Sequence, residues 1–277
     1  MSKLNASLEM GFKLSFRTNT SKFMDGFAHT SLWIYLGNQY IESRFRRSAL
    51  GPLWFVINAL AFSVIAGMIW SAIFGTDVRE FIPMIGIGFA IWGFIMACFI
   101  EGSGILATSG NFIKQMSISH STLILRVVYA QIVYLVIGCA VGYIASVVLG
   151  RPTSIGSLLF LPGFFLVALA GFFTATVMSY FGARYRDLSH GLGAALQVLF
   201  VATPIIYPAE ILIKKGYGLA VYLNPFHAWI EVIRVPLMKG VLADPVNYVS
   251  LVIYCVVAGL IAWLQIGRWS SKVVFWV

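Results

Sequence analysis

The chain has 277 residues, of which 60% are hydrophobic and only 10% charged, with a formal net charge of +9. A soluble domain is about 25% charged; at this composition and a mean hydropathy of +0.88, a water-soluble fold is excluded and lipid is the solvent for most of the chain. The basic residues cluster beside apolar runs, so the charge reads as membrane topology and contact with anionic lipid headgroups, not as a nucleic-acid-binding face.

The first fifty residues hold no compact pattern of basic start, apolar stretch and small-residue cleavage site, so the first spanning helix is expected to direct insertion. Residues 27–47 read as an amphipathic helix lying in the cytoplasmic interface. Leu32, Trp33, Leu36 and Tyr40 recur at helical spacing, and Asn38, Gln39, Glu42 and Arg46 supply polar positions. That helix serves equally as a lipid anchor or as a docking surface for a partner. A basic cluster, Arg44, Arg46 and Arg47, then gives way to Gly51-Pro52 and an apolar run.

Six runs reach or approach the roughly 20 residues that cross the hydrocarbon: Leu53–Phe74, Ile82–Ile100, Leu123–Leu149, Leu158–Phe181, Leu192–Tyr207 and Val246–Gly267. The fold class is therefore an all-α integral membrane protein of six transmembrane helices. The fifth run is short and carries Pro204 and Pro208, which remove backbone donors and break the helix. Such a break is tolerated at membrane depth only against protein or water. Residues 101–122 are Gly- and Ser-rich and read as a connection. Residues 208–245 are too apolar for a solvated loop and read as short re-entrant helices on the outer side, punctuated by Pro208, Pro225 and Pro236.

Orientation follows from Lys and Arg. Lys3, Lys13, Arg17, Lys22 and the Arg44–Arg47 cluster precede the first span, Lys114 follows the second, Arg184 and Arg186 follow the fourth, and Arg268 and Lys272 follow the sixth. Both termini are therefore expected in the cytoplasm. The chain reads as one transmembrane domain: a cytoplasmic segment over 1–49, six spans over 53–267 and a tail over 268–277.

No phosphate-binding GxxxxGK[ST] loop, HExxH or GxSxG motif is present. Cys98, Cys139 and Cys255 sit singly in apolar runs, and His29, His120, His190 and His227 do not converge by spacing. The acidic residues read as lying at span ends or in connections, which argues against an ion-coupled transporter or a membrane enzyme with paired acids. No catalytic or metal-binding residue is assigned, and a transporter without its own ion-coupling charges needs energy from another protein. The first two spans are rich in aromatics, including Trp54, Phe55, Phe62, Trp70 and Phe74. Two readings stand: an interfacial aromatic belt, or a channel lining on which sugar rings slide. Ser71/Gly75 and Gly138/Gly142 are small-residue pairs that fit packing within one subunit or between two.

The stretch Arg44–Trp54 resembles the segment before the first span of ABC-2-type permeases that export cell-surface polysaccharide: O-antigen, capsule or teichoic acid. Tyr185-Arg186-Asp187-Leu188, Pro204-Ile205-Ile206-Tyr207, Asn224-Pro225 and the terminal Phe275-Trp276-Val277 extend the resemblance along most of the chain. It implies a homodimer in the bacterial cytoplasmic (inner) membrane. Two copies of a separate ATP-binding-cassette subunit would bind ATP and Mg, with no cofactor in this chain. The substrate would be an undecaprenyl-diphosphate-linked glycan. By the same resemblance the channel aromatics are Trp54, Phe55, Phe62, Trp70, Phe74, Phe200 and Tyr207. The ATPase contacts are Tyr40, Glu42, Lys114, Arg184, Tyr185, Arg186 and Asp187, and the outer gate is Pro208, Pro225, Phe226 and Trp229. Arg44, Arg46 and Arg47 suit capture of the diphosphate, since guanidinium pairs phosphate bidentately; setting topology explains them as well. An ABC-2 permease for another lipid, a teichoic acid or a drug-like substrate is the alternative.

Overall fold

The computed structural model describes residues 16–116, 118–151 and 154–277, so Lys3 and Lys13 fall outside it. All regular structure among the described residues is helical. The interface helix expected over 27–47 is present as one helix over 30–44, and a further helix precedes it. Residues 16–28 form α1 and Thr30–Arg44 form α2, separated at the exposed His29. α1 docks on the far end of the chain, where Asn19 Nδ2 donates to the Gly267 carbonyl at 2.9 Å. α2 lies on α6 (His120–Val148) through Trp33, whose ring meets Tyr129, and through Gly37, where a Cβ would sit 2.5 Å from the Tyr129 ring.

α3 spans Leu53–Phe74, as the sequence predicts. Gly51 turns the chain into it with a positive φ, and Gly75 ends it in the left-handed conformation. α4 is the central element. It runs Val78–Thr108 with Asp77 as its N-cap, eight residues past the predicted end at Ile100. The predicted connection at 101–108 is helical because α4 and α7 (Phe160–Arg184) approach closely there. A Cβ on Gly182 would lie 1.9 Å from the Ser103 carbonyl oxygen, and one on Gly102 3.1 Å from Ala175 Cα. Packing thus overrides the low helix propensity of Gly102, Ser103 and Gly104. Within the most apolar window of each, 78% of α4 is buried and 17% of α3, which places α4 inside and α3 at the periphery. Gly138 and Gly142 seat α6 against Ala90 and Ile87 of α4, so that small-residue pair packs within one chain.

α5 (Gly110–Gln115) links α4 to α6, and a 3-10 turn at Ile155–Leu159 leads into α7. α8 covers only Leu188–Ala202. At 1.5 Å per residue, its 15 residues reach about 22 Å, short of the ~30 Å hydrocarbon. Among the described residues, five helices, not the six expected, are therefore long and apolar enough to cross a membrane. The helix stops before Pro204 because proline disfavours a helical residue ahead of it; Thr203 is extended. α9 (Ala209–Leu212), a π-type turn at Ile213–Tyr217 and α10 (Gly218–Leu223) follow. α11 (Pro225–Lys239) folds back along α4, from Phe226 beside Trp92 and Phe99 to Met238 beside the Phe81 cluster. α12 (Pro245–Trp269) and the short α13 (Val273–Trp276) complete the chain.

Candidate functional site

The carboxylate of Glu101 organises the junction between α2 and α3. Arg44, the last residue of α2, donates from Nη2 to Glu101 Oε1 at 2.6 Å. Tyr40 Oη and Gln131 Nε2 donate to Glu101 Oε2 at 2.8 and 2.6 Å. The Arg44 guanidinium also lies 5.6 Å from the Tyr134 ring centroid. Burial first, and the Glu101 carboxylate after it, hold the Tyr40 hydroxyl well above the usual tyrosine range, so it serves as a donor. The sequence reading placed every acidic residue at a span end or in a connection. Glu101 instead sits inside α4 with three donors around it, because α4 continues past Ile100.

Arg44, Glu101, Gln131 and Tyr134 form the polar mouth of a groove of about 560 Å³ between α3, α4 and α6. Trp54, Phe55 and Asn58 line one wall and Phe89, Gly93, Phe94 and Met96 the other. From Glu101 to Phe89 the groove follows α4 for about 18 Å. Phe62 stacks on Phe89 with centroids 4.1 Å apart, behind the groove's deep end. Beyond it, Trp70 stacks on Phe74 at 5.7 Å, and Phe74 meets Phe81 at 5.9 Å. Of the seven expected channel aromatics, Trp54 and Phe55 line the groove, and Phe62, Trp70 and Phe74 continue beyond it as a seam between α3 and α4. Phe200 and Tyr207 do not join it. Phe200 packs on Trp92, and Tyr207 Oη donates to the Val201 carbonyl at 3.1 Å. Arg46 and Arg47 are exposed beside the mouth, and among the described residues neither is paired with a carboxylate. Arg47 takes a left-handed φ of 68°, which turns the chain toward α3.

The other end of the seam reaches a second cavity of about 540 Å³, bordered by Phe74, Glu80, Pro208, His227 and Arg234. Sequence reasoning missed what lies against it. Arg234 falls in the outer stretch 208–245, yet it is 5% exposed. It pairs with Glu231 and donates from Nη1 to the Ile205 carbonyl and from Nη2 to the Pro204 carbonyl, both at 3.2 Å. Those carbonyls belong to the break after α8, where no helix supplies their donors. Asn224 ties the same break: its Nδ2 donates to Thr203 Oγ1 at 2.8 Å while its Oδ1 caps α11 at Phe226 N. The available signal was an Asp/Glu–Arg pair at i, i+3 inside the otherwise apolar stretch Phe226–Leu237. Of the residues expected at an outer gate, Pro225 opens α11 and Pro208 precedes α9. Phe226 and Trp229 are core residues, with Trp229 fully buried against Phe94 and Tyr254. His227 and His120 are both buried, and His120 bonds Tyr180 at 3.1 Å.

On the face opposite that cavity, α5, the α7–α8 turn and α13 share one surface. Lys114 donates to the Val277 carbonyl. The Arg184 guanidinium lies 5.3 to 5.9 Å from the rings of Tyr185, Trp269 and Trp276. Tyr185 and Arg186 border a cleft of about 410 Å³ with Trp276 and Val277. Asp187 is exposed at the start of α8. Glu42 is exposed on α2, whereas Tyr40 is turned inward to Glu101.

The five long apolar helices among the described residues define a multi-pass helical membrane protein. Residues 31–238 match the ABC-2 type transporter family, and the chain belongs to that family of membrane transport subunits. It is similar to the O-antigen export system permease protein RfbA of Klebsiella pneumoniae, with 22% identity over 215 residues, 76% of this chain and 82% of that protein. It is similar also to the protein of the same name from Myxococcus xanthus, with 21% identity over 201 residues, 72% of this chain and 77% of that one. The family match runs from α2 to α11 and so includes both the Glu101 cluster and the Arg234 cluster.

Proposed function

We propose that this chain is the permease subunit of an exporter that moves lipid-linked, O-antigen-like polysaccharide across the bacterial cytoplasmic membrane. A separate ATP-binding-cassette subunit, present in two copies, binds ATP and Mg and powers it. The observation that carries this reading is the groove: a basic, polar mouth opens onto an aromatic throat. Arg46 and Arg47, with Arg44, receive the diphosphate of an undecaprenyl carrier. Trp54 and Phe55 accept sugar rings through apolar contacts that permit sliding. The relatives named as O-antigen export permeases support the substrate class.

In this account α8 and the extended segment after it together make the sixth crossing, and α9 to α11 form a re-entrant hairpin on the outer side. The capping of the Pro204 and Ile205 carbonyls by Arg234 supports it, because irregular backbone at membrane depth needs internal donors. Both termini are cytoplasmic. The surface shared by Lys114, Arg184, Tyr185, Arg186 and Asp187, with α2 and its Glu42 and Tyr40, takes the ATPase. Phe226, Trp229, Pro208 and Pro225 hold the outer closure. A homodimer covers the exposed apolar flank of α3, which includes Leu53, Ile57, Ile65 and Met68. Deleting the gene and scoring surface glycan tests the reading. Loss of glycan, restored by the intact chain and not by a chain with Arg46 and Arg47 both changed to Gln, is the expected outcome. Unchanged glycan removes it.

A further inference from the structure

We propose that Glu101 is a built-in stand-in for the ligand of Arg44, displaced from it when a diphosphate enters the groove. This rests on the headgroup-capture reading above and names the residue that regulates it.

The geometry separates the two oxygens of Glu101. Oε1 is bonded to Arg44 alone among the side chains described, while Oε2 receives both Tyr40 and Gln131. The carboxylate therefore stays held and hydrogen-bonded when Arg44 leaves it. Arg44 in turn spends one nitrogen on a monodentate bond. Its guanidinium has five N–H donors in a planar fork, and its side chain is 47% exposed at the mouth of the groove. A diphosphate offers the bidentate, more highly charged partner that this fork prefers. Arg44 trades one anion for another, and Glu101 keeps two neutral donors on Oε2, so neither group loses all its hydrogen-bond partners in the exchange.

The exchange also carries a mechanical consequence. Arg44–Glu101 is the one ion pair joining α2 to α4 among the described residues. Tyr40 retains its hold on Glu101, so of the two side chains by which α2 reaches Glu101 of α4 one remains, while its packing on α6 is untouched. Arrival of the headgroup thus loosens the C-terminal end of α2, which leads directly into α3.

The test uses the full chain in phosphatidylcholine nanodiscs, with binding of undecaprenyl diphosphate, undecaprenol and inorganic diphosphate measured in parallel. Glu101→Gln keeps the shape and removes the charge that competes for Arg44. It is expected to tighten diphosphate binding about two- to fivefold, the range of a partly exposed ion pair. The gain is expected to vanish when Arg44→Gln is also present. A Glu101→Gln affinity equal to or weaker than that of the unmodified chain overturns the exchange. So does an equal gain in the Arg44→Gln background, which would mark a general loss of negative charge. Should Glu101→Gln fail to fold, Glu101→Asp, which withdraws the carboxylate by one methylene, is expected to give a gain of the same sign. Equal gains for carrier lipid and inorganic diphosphate support the exchange with the free anion as a sufficient ligand. A gain confined to the carrier supports it for the lipid headgroup. If undecaprenol binds the unmodified chain as tightly as undecaprenyl diphosphate, the capture site itself falls. That result is distinct from diphosphate-selective binding that Glu101→Gln leaves unchanged.

Discussion

Replacing Arg234 with Met removes the donor that closes the break after α8 while keeping a long apolar stem. Arg234 is almost fully buried, gives two hydrogen bonds to the Pro204 and Ile205 carbonyls and pairs with Glu231. Hydrogen bonds from a charged donor contribute about 1.5–3 kcal/mol each. Removing one partner of a buried pair costs about 3–5 kcal/mol, because the other charge is stranded. The expected loss for Arg234→Met is therefore ~3–5 kcal/mol, nearer the lower figure where Glu231 relaxes toward the neighbouring cavity. In thermal unfolding of the full chain in nanodiscs this corresponds to a drop on the order of 10 °C. The Glu231→Met/Arg234→Met double variant leaves the two carbonyls unpaired but strands no charge. It is expected to lose about half as much. A single-variant loss below ~1 kcal/mol would refute the reasoning, as would a double variant less stable than the single.

Asn224→Ala removes both the cap of α11 and the tie to Thr203, and is expected to cost about 1–2 kcal/mol in the same melting experiment. Asn224→Ser restores the cap without the reach to Thr203 and is expected to recover about half of that; no recovery would mean the cap contributes nothing. Gly182→Ala drives a Cβ to 1.9 Å from the Ser103 carbonyl oxygen, where only backbone movement makes room. A loss of about 3 kcal/mol or failure to fold is expected. Gly93→Ala meets nothing within 4 Å, and is expected to be neutral or to gain up to about 1 kcal/mol from helix propensity. Equal effects at these two glycines would contradict the packing described. Trp54→Ala alters a half-exposed groove residue. It is expected to change stability by under about 1 kcal/mol while slowing glycan export roughly tenfold at unchanged basal ATPase activity; export at the unmodified rate would take Trp54 out of the channel.

How far the sequence carries depends on which force sets each element. The bounds of α3 were legible because its start and stop are backbone events: Gly51 and Gly75 adopt positive φ at its two ends. The length of α4 was not legible. Gly102, Ser103 and Gly104 look like a loop by propensity, and only the contact with Gly182 and Ala175 explains their helix. Burying that segment is also what makes Glu101 an organising residue instead of a span-end acid. The prolines at 204 and 208 announced a broken helix, but not that it would stop at Ala202 with 15 residues. Arg234 illustrates the other limit. Apart from its spacing from Glu231, nothing local in the sequence marks this cation as buried, because its burial follows from unpaired carbonyls 29 and 30 residues earlier in the chain. Of the expected site, the Arg44–Phe55 junction and the α3 aromatics converge on one groove and seam. Phe200, Phe226 and Trp229 are engaged in packing around α4 and α11.

The most direct measurement is ATP-dependent export in inverted membrane vesicles containing this chain with its ATPase, supplied with an undecaprenyl-diphosphate-linked glycan. The account predicts that glycan enters the vesicle lumen, that ATP hydrolysis rises when the lipid-linked glycan is added, and that changing Arg46 and Arg47 to Gln abolishes both. Hydrolysis and transport that respond to an unglycosylated lipid or a drug-like compound, but not to the lipid-linked glycan, would contradict it.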